Sequence, residues 1–252
     1  MIGGNGVEIN YDLNFEDTES SDLNRVILSG QITRDFERSH EQSNSSFVKT
    51  MVEVPRTSGA TDQIPVIVDV EKILDIVDKK QSPVGKYVEI QGRMCSYASF
   101  PNHEAQISRY VFAKRFRMYD NKDELEFPVG TNLLVLRGTM KYYPSFKTTY
   151  RGRQIAEFVL ISKRRNGCSD RIPCVAWGTN AIDLSGYDKN SIVEVCGRIQ
   201  SRDYNKTMDN GNVIKKTSYE LSVFDYREAS PTDSEETNYK EYSGVGKLVV
   251  AY

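Results

Sequence analysis

Asn24-Arg25-Val26-Ile27-Leu28-Ser29-Gly30 returns 108 residues later as Asn132-Leu133-Leu134-Val135-Leu136-Arg137-Gly138, asparagine first and glycine last in both. The offset holds beyond this stretch. Arg56 matches Arg164, Asp62 matches Asp170 and Ile64-Pro65 matches Ile172-Pro173 at 108, and Gly92-Arg93 matches Gly197-Arg198 at 105. A unit of roughly 95 to 100 residues written twice is too long for a solenoid or propeller blade and long enough for a small barrel with its own core. The chain therefore reads as an acidic mobile segment (1–23), a first domain (24–118), an acidic linker (119–130), a second domain (131–227) and a tail (228–252) that is acidic and then apolar. The apolar end, Leu248-Val249-Val250-Ala251-Tyr252, reads equally well as an added strand or as a frayed terminus.

Both copies read as β. In the second, residues 132–138, 156–161, 171–177, 192–200 and 217–225 are strand-like, with Asp209-Asn210-Gly211-Asn212 as a hairpin tip. In the first, 24–32, 47–54, 63–69, 87–95 and 107–117 repeat the series. Gly197 inside a strand marks a bulge or bend, as a barrel corner requires. Val70, Ile73, Leu74 and Val77 form a helical stripe over 70–79, and 179–184 forms a short helix at the same place in the second copy. Five strands with a helix between the third and fourth is the arrangement of an OB-fold, so the expected class is all-β with two tandem five-stranded OB-fold barrels.

Charge separates the copies. The net charge of −2 is the sum of −6 in 1–23, +3 in 24–118, −3 in 119–130, +7 in 131–227 and −3 in 228–252. No apolar run approaches a membrane span, and the N-terminus has no signal-peptide pattern, which points to a cytoplasmic protein. Cys95, Cys168, Cys174 and Cys196 lack metal-ligand spacing and read as reduced, partly buried thiols. With two histidines, His40 and His103, no metal or cofactor is expected. Val245-Gly246-Lys247-Leu248 lacks the upstream glycine and the Ser/Thr of a phosphate loop, and no catalytic constellation is present, so no enzyme is expected.

The second copy resembles the bacterial single-stranded DNA-binding protein family. The resemblance rests on Asn132, Leu136, Gly138, Ala156-x-Phe158-x-Leu160 and Asp170-x-Ile172-Pro173-Cys174-Val175-Ala176-Trp177-Gly178-x-x-Ala181. It continues through Val193-x-Val195-x-Gly197-Arg198-Ile199-Gln200-Ser201-Arg202-x-Tyr204 and Glu220-Leu221-x-Val223. The first copy matches more weakly through Asn24, Leu28, Gly30, Asp62, Ile64-Pro65, Gly85 and Gly92-Arg93. The layout is similar to the tandem-domain members of Firmicutes-type bacteria, with primosomal replication protein N as a neighbour. The resemblance implies sequence-non-specific single-stranded DNA binding in replication, recombination or repair, contact with replication or repair proteins, and a homodimer of four OB-folds.

A non-specific binder needs aromatic platforms for bases and cations for phosphates. The resemblance puts stacking aromatics at Trp177 and Tyr204, and arginine (Arg164 or Arg165, and Arg171) at two further stacking places, where a guanidinium can stack or pair with phosphate. Basic and aromatic residues in the surrounding loops complete the expected site: Tyr143, Phe146, Tyr150, Arg151 and Arg153 beside the first turn, Lys163, and Arg198, Arg202, Lys206, Lys215 and Lys216. The competing readings are a core tryptophan at 177, an exposed hairpin tyrosine at 204, aromatics that brace the turn, and solvated basic faces. In the first copy Asp69 stands where Trp177 stands in the second, Gln63 where Arg171 stands and Ser99 near the place of Tyr204. Only Arg56, Arg93 and Tyr97 are candidates there, so the first barrel is expected to be architectural.

The family's acidic tip ending in Pro-Phe is replaced by Val250-Ala251-Tyr252 after Asp233, Glu235, Glu236 and Glu241. That stretch reads as a solubilising tail or as a segment folding back on the basic groove. The alternative function is a primosome-type protein adaptor, favoured by Asp69 and the tail. An RNA-binding cold-shock-like role lacks its aromatic motif.

Overall fold

The computed structural model describes residues 23–42, 44–74, 82–99, 106–207 and 211–229. The N-terminal segment, nearly all of the tail, the second half of the 70–79 stripe, His103 and the hairpin tip at Asp209-Asn210 lie outside the described residues. The first copy contains β1 (Asn24–Ile32), β2 (Glu37–Gln42), β3 (Ser45–Pro55), β4 (Thr61–Asp69), β5 (Tyr87–Ser99) and β6 (Gln106–Tyr119). The second contains β7 (Asn132–Met140), β8 (Ser145–Thr148), β9 (Gln154–Lys163), β10 (Ser169–Trp177), helix α1 (Thr179–Ser185), β11 (Ile192–Thr207) and β12 (Val213–Glu228). All ten expected strands are present. β2 and β8 are additional; every residue in both is exposed, so neither carries the buried-exposed alternation by which a strand is read from sequence.

Each copy closes on itself. In the first, the ring of pairings runs β1–β3, β3–β4, β4–β6, β6–β5 and β5–β1, with β4–β6 parallel. In the second it runs β7–β9, β9–β10, β10–β12, β12–β11 and β11–β7, with β10–β12 parallel. This is the five-stranded Greek-key barrel of the OB-fold. Alternate residues fill each interior, among them Val26, Leu28, Ile64, Val66 and Ile90 in one and Leu134, Leu136, Ile172, Ala176 and Val195 in the other.

The glycine of each Gly-Arg pair makes closure possible. Strand register shifts between Gln91 and Gly92 and between Cys196 and Gly197. A Cβ on Gly92 would lie 2.1 Å from the Phe112 carbonyl oxygen, and one on Gly197 2.1 Å from that of Ser222, so only glycine lets the strands approach this closely. Beyond each bend the long strand leaves its neighbour, and its freed backbone groups need new partners. The repeated asparagines supply them. Asn24 Nδ2 donates to the Met94 carbonyl (2.8 Å) and Asn24 Oδ1 accepts from Met94 N (2.9 Å). Asn132 does the same for Ile199, at 2.7 and 2.9 Å.

The two barrels share one sheet. β1 pairs antiparallel with β7, Asn24 opposite Leu136 and Leu28 opposite Asn132, giving a 12-stranded sheet ordered β2-β3-β4-β6-β5-β1-β7-β11-β12-β10-β9-β8. On the outer side of this junction Ile27, Leu133, Val135 and Cys196 form a second buried cluster with Phe127 of the linker. The linker is fastened there: Phe127 N donates to Glu89 Oε1 (2.7 Å) and Ser29 Oγ donates to the Phe127 carbonyl (3.2 Å). Among the described residues no helix is long and apolar enough to cross a membrane.

A reciprocal clasp holds the barrels together away from the shared strands. Within the first copy Arg56 forms a two-point ion pair with buried Asp62, Nε to Oδ2 at 2.7 Å and Nη2 to Oδ1. Asp62 Oδ1 also accepts from Ser201 N of the second copy (2.7 Å), and Ser201 Oγ accepts from Gln63 N (3.2 Å). The second copy mirrors this. Arg164 pairs with buried Asp170, Nε to Oδ2 at 2.7 Å, Asp170 Oδ1 accepts from Ser96 N (2.6 Å), and Ser96 Oγ accepts from Arg171 N (2.8 Å). The hydrogen bond it donates to Asp170 holds the Arg164 guanidinium above the ordinary arginine pKa range, and the one Arg56 donates to Asp62 does the same for Arg56.

Arg164→Ala leaves a buried carboxylate without its counter-ion and is expected to cost about 3 kcal/mol, whereas Arg165→Ala, exposed next door, is expected to cost under about 0.5 kcal/mol; paired urea melts measure the difference. Cys95, Cys174 and Cys196 are buried and Cys168 is exposed, and burial raises the Cys196 thiol to about 12. A thiol reagent is therefore expected to react quickly with one cysteine of the folded protein and with all four after denaturation.

Candidate nucleic-acid interface

The strand alternation that points Ile172, Cys174 and Ala176 into the second barrel points Arg171, Pro173, Val175 and Trp177 outward along β10. Opposite them on β9 stand Ile161, Val159, Glu157 and Ile155, and Lys147 of β8 stands opposite Ile155. The outer face of β8–β10 is thus a largely apolar floor crossed by the Lys147–Glu157 ion pair (2.8 Å), with Arg171 at one end and Trp177 at the other. Trp177 is 40% exposed, so the core-tryptophan reading does not hold. The loops on either side of β8 carry Tyr143, 68% exposed, and Tyr150, 90% exposed, too open to brace the turn. Arg151 lies 5.2 Å above the Tyr150 ring. Phe146, opposite inward-pointing Ala156, lies on the other side of β8, whereas Arg153, Lys163 and Arg165 are exposed around this face.

Other candidates lie elsewhere. Arg164 and Arg56 have their Nε and Nη2 donors committed to Asp170 and Asp62, inside the clasp. Arg93 is buried, with its guanidinium 5.5 Å from the Phe112 ring centroid. Arg198 is half-buried; burial first, and the nearby Arg56 second, press its pKa down. These four serve the fold, and a repeated arginine beside a basic loop looks the same in sequence whichever task it has. Arg202 lies 3.5 Å from Glu220, and Lys215 lies 2.7 Å from Asp203, both on the exposed β11–β12 hairpin. Tyr204, 42% exposed, and Lys206 stand on the same hairpin.

A cleft of about 900 Å³ lies over the first barrel. Lys49, Met51, Pro65 and Ile67 on β3 and β4 form its floor. The second copy's hairpin contributes Tyr204, Lys206, Lys216 and Tyr219, and the β5–β6 hairpin contributes Tyr97 and Arg109. Arg109 spans the copies, its Nε donating to the Arg171 carbonyl (3.2 Å), and burial lowers its pKa. Sequence reasoning missed Arg34, His40, Lys49, Arg109 and Tyr219 in this lining. The signal was available: Lys49 and Met51 alternate with inward Val52 and Thr50 just as the second copy's outer residues do.

The first copy also differs at the place of Trp177 for a local reason. Asp69 Oδ1 accepts from Glu71 N (3.1 Å) and caps the 3-10 turn Val70–Ile73. The aromatic has moved one strand across: Phe47 stands opposite Asp69, where the second copy has Ile155 opposite Trp177. Exposed His40 stacks on Phe47 at 4.7 Å between centroids.

Neither a protein-family model nor a curated protein matches this sequence. Solved structures do match. The wild-type single-stranded DNA binding protein from Thermus aquaticus is 15% identical, with a TM-score of 0.64 over 84% of this chain and 95% of that one. A deletion mutant of the same protein is 15% identical with a TM-score of 0.63 over 86% and 98%. The N-terminal domain of PriB protein from Thermoanaerobacter tencongensis is 28% identical over 39% of this chain and 98% of that one, with a TM-score of 0.32. The Thermus likeness extends over both copies and their connection, and it is a likeness of fold: the chain has the tandem OB-fold architecture of those proteins.

Proposed function

We propose that the protein binds and protects single-stranded DNA without reading its sequence, mainly through the second OB-fold. The observation that carries this reading is the outer face of β8–β10, where solvent-exposed Trp177, a largely apolar floor and Arg171 lie within one sheet and are ringed by Tyr143, Arg151, Arg153, Lys163 and Arg165. Every base has a face that can stack on Trp177, and every phosphate can meet an arginine or lysine of the rim, so such a surface holds a strand and is indifferent to base identity. The mechanism is passive. The strand is kept extended and its re-annealing and cleavage are blocked while it is held. The domain division read from the repeat, with the first barrel bracing the second, and a homodimer of four OB-folds in the cytoplasm belong to the same proposal. The Thermus proteins, named for single-stranded DNA binding and sharing this fold, support it.

Trp177 is the single tryptophan of the chain, so its fluorescence reports this face alone. Oligo(dT) is expected to quench it, with affinity falling as salt rises at a log–log slope of about 0.7 per phosphate neutralised. Trp177→Ala is expected to weaken binding by about 1–3 kcal/mol, while Arg171→Ala flattens the salt dependence. Unchanged emission at low salt with excess oligonucleotide contradicts the proposal. Capture of replication proteins that survives nuclease treatment would then favour the adaptor reading. Light scattering on the full chain, expected at twice the chain mass, tests the dimer.

A further inference from the structure

We infer that Glu157 gives the outer face of β8–β10 a base preference, favouring guanine over thymine at the base stacked on Trp177. This rests on the proposed function and deepens it: stacking and phosphate pairing stay indifferent to the base, and one carboxylate adds a bias at one position. Among the outward residues of β8, β9 and β10, Glu157 is the only acid. It stands in a floor of Ile155, Pro173 and Val175, between the cations Lys147 and Arg171.

Strand register sets this acid beside the stacking platform. Ile155 stands opposite Trp177 and Glu157 opposite Val175, so Glu157 is the diagonal neighbour of Trp177, one outward row along the sheet. Diagonal cross-strand side chains start about 7–8 Å apart, within reach of a long side chain. A base lying on the indole can therefore turn its Watson–Crick edge to the carboxylate. Glu157 Oε2 accepts from Lys147 Nζ (2.8 Å), and Oε1 accepts no hydrogen bond from the described residues. Both side chains of this pair reach solvent, so it adds little to stability and can open as a strand arrives. Lys147 then has a phosphate to meet, and Glu157 has two oxygens to offer.

The donor pattern of the bases decides which of them gains. An ionised carboxylate only accepts, through two oxygens set side by side. Guanine presents two adjacent donors on its Watson–Crick edge, N1–H and the N2 amino group, and satisfies both oxygens at once. Adenine and cytosine present one amino group beside a ring-nitrogen acceptor, so one oxygen is satisfied and the other meets a lone pair. Thymine presents N3–H between two carbonyl oxygens, and these repel the carboxylate on either side. The first copy shows that acid and platform go together. There Lys49 stands at the place of Glu157 and Asp69 at the place of Trp177, so that face has neither. A floor built for phosphate alone gains nothing from a carboxylate, whereas a floor that also meets base edges does.

Titrations of the full chain with short oligo(dT), with and without one central dG, test this through the midpoint of Trp177 quenching; a single guanine leaves the strand unable to fold on itself. The expected result is about fivefold tighter binding of the strand with dG, with most of that gain lost when inosine, which lacks the N2 amino group, replaces guanine. Glu157→Gln is expected to abolish the preference and to strengthen binding of plain oligo(dT), because Lys147 is released to phosphate and the negative charge is gone. Equal affinity for the two strands, or a preference that inosine or Glu157→Gln retains in full, overturns the inference and leaves the proposed function standing. Absence of binding by every strand at low salt overturns both.

Discussion

A carboxylate shared between two barrels sets the shape of this molecule. Asp62 and Asp170 are each buried, each neutralised by an arginine six residues earlier in its own copy, and each hydrogen-bonded to the backbone of a serine in the other copy. Burying a charge is tolerable only when it is paired and its remaining acceptor capacity is used. Here the ion pair within a barrel satisfies one part and the serine from the opposite barrel satisfies the rest. Neither copy completes this arrangement alone. The clasp fixes where the two long hairpins lie, β5–β6 against β10 and β11–β12 against β4.

Much of this was legible in the repeat. The repeated asparagines, glycines and Ile-Pro pairs announced two alike barrels, the ten principal strands fell where alternation put them, and Gly197 marked its bulge. The sequence could not disclose why those residues repeat. Asn24 and Asn132 repeat because each replaces a lost strand neighbour for Met94 and Ile199. Arg56 and Arg164 read as strand-binding candidates, yet Asp62 and Asp170 repeat at the same spacing and pair with them. A buried ion pair and a basic groove give the same one-dimensional signal when the partner is six residues away.

The contrast between copies was legible only in part. Asp69 stands where Trp177 stands in the second copy, and the structure gives it a local task. The carboxylate caps a turn, and the aromatic stands on the adjacent strand as Phe47 with His40 upon it. Cross-strand exchange of this kind keeps an aromatic on a face while erasing it from the aligned position. The +7 charge of the second copy identified where basic residues concentrate, but a cleft lined by two copies belongs to neither sequence segment.

The central claim is that the outer face of the second barrel, β8–β10, holds a single strand. Hydrogen–deuterium exchange of the full chain with and without saturating oligo(dT) tests it most directly. The account predicts slowed exchange in the 141–153 loop around β8 and along β9 and β10. Saturated binding that leaves exchange in all of these segments unchanged would contradict it.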